Sequence, residues 1–117
     1  MLFACDVIRI AQELQQRGRI ASELSLQLVN AATSAASNLE EADDGSSGRD
    51  FRAKDRIALR ELKETRLRLR ILRLSGYLKE KDDEVIQEAV ELVNIVATII
   101  RNSQRNELHK RTSNPRT

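Results

Sequence analysis

Apolar residues return every three or four positions along almost the whole chain, and that period leaves packed helices as the main solution. Phe3, Val7, Ile10 and Leu14 are spaced by four, three and four, and Gly18 is placed to end the helix they define. A second stripe follows at once: Ile20, Leu24, Leu28, Ala31, Ala35, Leu39 and Ala42. Since a helix turns by about 100° per residue, each set falls on one face. Only one proline, Pro115, and four glycines punctuate the 117 residues, too few for a chain built of strands and tight turns.

The remainder divides in the same way. Asp43-Asp44-Gly45-Ser46-Ser47-Gly48 reads as a loop. From about Arg49 to Leu74 a third helix places Phe51, Ala58, Leu62, Thr65, Leu69 and Leu72 on one face. Ala53, Ile57, Leu67, Ile71 and Leu74 lie on the opposite side. A helix with two apolar faces needs two surfaces to pack against, its own bundle and a neighbouring copy. Ser75-Gly76-Tyr77 breaks the pattern, and a fourth helix is expected to begin near Asp82 or Asp83. Its main stripe is Val85, Ala89, Leu92, Val96 and Ile99, widened by Ile86, Val93, Ala97 and Ile100.

The expected fold is therefore all-α: an antiparallel up-down-up-down four-helix bundle over residues 1–108, assembling as a homo-oligomer. Residues 109–117 are expected to form a basic disordered tail. Phe3, Phe51 and Tyr77 are the only aromatics, so the core must be aliphatic. The small residues Ala31 to Ser37 would let another helix approach closely.

Several function classes find little support. The longest apolar run, Ile95 to Ile100, is far too short to cross a bilayer, and no secretion signal is recognisable. The expected location is the cytoplasm, in keeping with a single cysteine. Cys5 is expected to act as a small buried hydrophobe, since no histidine lies near it to activate a thiolate. Glu40, Glu41, Glu61 and Glu64 suggest a di-metal bundle, but such sites need Glu-x-x-His pairs and His109 is the only histidine. Neither a catalytic residue nor a metal site nor a cofactor is expected.

Charge is the more informative feature. The formal net charge is only +2, yet residues 49–74 hold ten Lys and Arg against four Asp and Glu. Arg52, Arg56, Arg60, Lys63, Arg66, Arg70 and Arg73 fall within an arc of roughly 140° on an ideal helix. Such a row suits the phosphates of RNA or DNA, because each contact releases condensed counterions. The other reading is a solvated face neutralised by Asp55 and by acidic helices of neighbouring copies. Ser34, Asn38 and Glu41 share a face of the second helix, and with Glu61, Glu64 and Thr65 they are expected to form a polar network that fixes helix register.

Two of these stretches carry a resemblance. Ser34, Asn38, Glu41 and Ala42 match the signature S-x-x-x-N-x-x-E-A, and Ile57 to Arg66 with Leu69-Arg70 match I-A-L-K-E-A-R-E-T-R-x-x-L-R. Gly76-Tyr77-Leu78 is similar to the turn that follows. Together, over roughly residues 3–100, they resemble the bacterial four-helix-bundle proteins of the 23S rRNA intervening-sequence family. The chain departs from that pattern at Leu67 and Arg68, where the family often carries aromatics. The resemblance implies homopentamers without established biochemical activity. A related branch, the accessory proteins of diversity-generating retroelements, implies two further partners: nucleic acid and a reverse transcriptase. The alternative is a purely structural or protein-interaction oligomer with the arginines at subunit contacts.

Overall fold

The computed structural model describes residues 2–43 and 48–113, with side chains to residue 110. Four helices follow one another: α1 (Leu2–Gln15), α2 (Arg19–Asp43), α3 (Gly48–Leu74) and α4 (Asp83–Ser113), the last preceded by a 3-10 turn at Glu80–Asp82. Each connection reverses the chain, as the pairings at both ends require. Gln15 at the end of α1 bonds Ser25 and Ser22 near the start of α2. Lys54 near the start of α3 meets Glu41 at the end of α2. Arg73 at the end of α3 meets Asp83 at the start of α4.

The order around the bundle is α1, α2, α3, α4, with α2 and α3 sharing the largest interface and α1 touching α4 along only a short stretch. Length accounts for part of the inequality, and the rest is that α1 packs mainly on α2. At 1.5 Å per residue, the 14 residues of α1 reach about 21 Å, whereas the 31 of α4 reach about 46 Å. One half of the rod is a four-helix bundle, and the other half is three helices.

The core follows the expected stripes with some shifts. Val7, Leu14, Leu28, Leu62, Leu69 and Leu72 are buried almost completely, and each contributes on the order of 1.5–3 kcal/mol of burial free energy. On α4 the buried line is Ala89, Val93, Val96 and Ile100. Ile99, expected in the main stripe, is exposed because its flank continues past the first residues of α1, where no helix covers it. Ile20 is likewise exposed at the start of α2, while Ala21 turns inward. Phe51 is only half-buried.

Cys5 corrects another expectation. It is exposed, because it lies two residues, about 200°, around α1 from Phe3 and so points away from the packed face. The tail is a further difference. α4 continues to Ser113, so 109–113 extend the helix instead of forming an irregular segment. No proline or glycine lies between Gly76 and Pro115 to stop it. Residues 114–117 lie outside the described residues, as do 44–47 of the expected acidic loop.

Two glycines serve the turns. Gly18 (φ +105°) and Gly76 (φ +85°) take the left-handed conformation that ends α1 and α3, where a side chain would strain the backbone. After Gly76, the amides of Tyr77 and Leu78 both bond the carbonyl of Leu72, at 3.0 and 3.2 Å. Arg17 stacks on Tyr77 with its guanidinium 5.4 Å from the ring centre and donates to the Tyr77 carbonyl. This ties the α1 end to the α3–α4 turn.

Candidate nucleic-acid interface

The cations of α3 do not share one fate, because the helix has neighbours on two sides. On the α4 side, Arg73 makes two bonds to the Asp83 carboxylate, at 2.8 and 3.3 Å. That contact holds the Asp83 carboxyl below its usual range and raises Arg73. Arg52 turns the same way, donating to Ser103 and pairing with Glu107, and its side chain is only 13% exposed. Arg66 is half-buried. On the α2 side, Lys54 pairs with Glu41 at 2.7 Å, and its hydrogen bond, then its charge, hold the Glu41 carboxyl low. Arg68 donates to Gln27 and to Glu64.

The outward side keeps the rest. Arg56, Arg60, Lys63 and Arg70 are exposed, and among the described residues only Arg60 of these four approaches a carboxylate, that of Glu61 at 3.6 Å. The expected seven-residue stripe therefore contracts to four presented charges, with Arg52 and Arg73 engaged by α4. The reason is tertiary: the arc is wide enough that its edge meets the neighbouring helix.

Apolar residues are interleaved with these cations. Leu67 is 57% exposed, Ile71 46% and Leu74 88%, with Ile20 of α2 at 66%. This is most of the second apolar face expected of α3; Ile57 is half-buried, while Leu67, Ile71 and Leu74 stay open among the described residues.

The expected polar network resolves into separate contacts, all but Glu41 with Lys54 within a single helix. Asn38 donates to the Ser34 carbonyl at 2.9 Å, within α2. Thr65 donates to the Glu61 carbonyl at 2.8 Å, within α3. Glu64 pairs with Arg68 and Glu41 with Lys54. Among the described residues no hydrogen bond or ion pair joins Ser34 or Asn38 to Glu61, Glu64 or Thr65. Helix hydroxyls and amides reach their own preceding carbonyls more readily than a neighbouring helix.

Two features escaped the sequence reading. The α3–α4 seam opens into a cleft of about 450 Å3 lined by Arg49, Arg52, Arg56, Gln104, Glu107 and Leu108. Arg49 stands three residues before Arg52 and belongs to the same arc, so it was legible; Gln104 is uncharged and distant in sequence, and no signal marks it. The other feature is the burial of Asp55, which was expected to neutralise the arginines but makes no ion pair among the described residues. The residue is 3% exposed, and its Oδ2 has no hydrogen-bond partner among the described residues. Burial, and secondarily the charge of Asp43, raise its carboxyl above the ordinary range.

The fold and surface together define an antiparallel four-helix bundle with a cationic and partly apolar outer helix; among the described residues, no helix is long and apolar enough to cross a membrane. The chain belongs to the 23S rRNA-intervening sequence protein family, whose model matches residues 1–98. No curated protein and no solved structure matches it.

Proposed function

We propose that this protein is a non-catalytic, cytoplasmic, homo-oligomeric bundle that binds RNA through the outer face of α3. The observation that carries the reading is the set Arg56, Arg60, Lys63 and Arg70, exposed on one face at spacings of four, three and seven with little internal neutralisation. The family description, which names an rRNA-related protein, supports RNA over DNA. Self-association, as a pentamer by resemblance, would cover Leu67, Ile71 and Leu74 and repeat the cationic face around a ring. Repetition adds avidity without any new contact. An accessory role beside a reverse transcriptase would use the same surface.

The test is binding of mixed-sequence RNA at increasing salt. Affinity should fall linearly on logarithmic axes, and Arg56→Glu with Arg70→Glu should weaken it and flatten the slope. Undiminished binding by the double variant would remove α3 from consideration.

A second reading is favoured by the interleaving of apolar and charged residues: the face is a subunit contact alone, in a structural oligomer. Under that reading the charge reversals dissociate the assembly, and mass measurement returns a particle of 13.3 kDa. Under the first, the double variant keeps its assembled mass while losing RNA.

A further inference from the structure

The seam between the first turns of α3 and the last turns of α4 carries an arrangement different from the outer face. Arg49, Arg52 and Arg56 follow at spacings of three and four, so their stems rise from one flank of α3. Across the cleft stand Gln104, Glu107 and Leu108 of α4. Three guanidinium groups thus line this cleft with one carboxylate, Glu107, which is already paired with Arg52. No ion pair among the described residues engages Arg49 or Arg56.

Like charges at this spacing repel, and the group that relieves them is a compact anion with several oxygens. A guanidinium fork presents paired N–H donors suited to two oxygens of one phosphate. Gln104 adds a neutral amide, and Leu108, itself 64% exposed, an apolar flank. The carboxylate seated on Arg52 marks where an oxyanion is held. Arg60, Lys63 and Arg70 stand on open surface and do not line this cleft.

We infer that this cleft is a phosphate subsite, a reading that rests on the nucleic-acid function proposed above. A phosphate of the bound strand enters between Arg49 and Arg56 and displaces Glu107 from Arg52. The phosphate comes from a 5′-terminal monoester or from a phosphodiester within the strand. Gln104, Glu107 and Leu108 lie beyond the residues that match the family model.

Pyrophosphate is the probe, titrated by calorimetry into the full chain at low salt. It should bind, and Arg49→Gln with Arg56→Gln should weaken binding at least about tenfold. Both arginines are exposed, so the variant should fold, which circular dichroism checks. Glu107→Gln removes the ion pair on Arg52 and should tighten binding, whereas Arg19→Gln, at the other end of the bundle, should not change it. With short RNAs, preference for a 5′-phosphate over a 5′-hydroxyl identifies the terminal group. Equal binding of both, competed away by pyrophosphate, identifies the internal one. Absence of pyrophosphate binding, or binding that survives the double variant, overturns the subsite whether or not RNA binds the outer face. Pyrophosphate held in the cleft by a chain that retains no RNA would instead sink the nucleic-acid reading and leave an anion site.

Discussion

Replacing Asp55 by asparagine should stabilise the protein at neutral pH. The side chain is 97% buried in the three-helix half of the bundle, and its Oδ2 meets no donor among the described residues. A buried polar atom without a partner costs on the order of 1–3 kcal/mol. Asparagine keeps the shape, removes the charge and gains an N–H2 that can reach a carbonyl one turn back, as Asn38 does at 2.9 Å. Its amide still needs satisfying, so the low end of that range applies, a gain of about 1 kcal/mol. For a domain of this size that raises Tm by about 4 °C.

The pH dependence separates this cause from others. Burial first, and Asp43 second, raise the folded-state carboxyl above the ordinary value of 3.8. The folded state therefore binds this proton more tightly than the unfolded chain. The corresponding stability is fully present below the unfolded value and is lost as pH rises through the raised folded value. The advantage of Asp55→Asn should thus be largest at pH 7 and shrink as the pH is lowered towards the unfolded value. Paired urea melts of the two proteins across that window measure the difference directly. An Asp55→Asn variant less stable than the parent at pH 7, or a difference that does not change with pH, would refute the reasoning.

Leu69→Ala should cost about 2–5 kcal/mol in urea unfolding, since Leu69 is wholly buried between the helices and its loss leaves a cavity. Gly76→Ala should cost about 1 kcal/mol with no rearrangement of neighbours, because a Cβ there meets nothing within 4 Å and only the positive φ resists it. Arg73→Ala removes the contact that holds Asp83 low, a contribution present above the unfolded carboxyl value and lost as pH falls through the folded one. Its effect in thermal melts should therefore vanish in acid. In the native protein, Cys5 should react with a thiol reagent at the rate of an unprotected cysteine.

The helices were legible because each carries its own stripe. Val7, Ile10 and Leu14 mark the buried face of α1, and Leu62, Leu69 and Leu72 that of α3, without reference to any other segment. Gly18 and Gly76 announced the turns for an equally local reason, the backbone conformation that only glycine adopts freely. The candidate site was legible in part. The arc of arginines could be drawn on α3, but its width hid the fact that its edge touches α4.

The sequence by itself therefore determined the fold class, the element boundaries to within a few residues and the concentration of positive charge on α3. Periodicity and local charge are properties of one segment. Tertiary structure alone decided that Arg52 and Arg73 are held by α4 while Arg56, Arg60, Lys63 and Arg70 face outward. It also decided that Asp55 is buried without a partner and that Ile99 lies beyond the reach of α1. Those outcomes depend on where a second helix begins and ends, and no spacing within α3 or α4 encodes that.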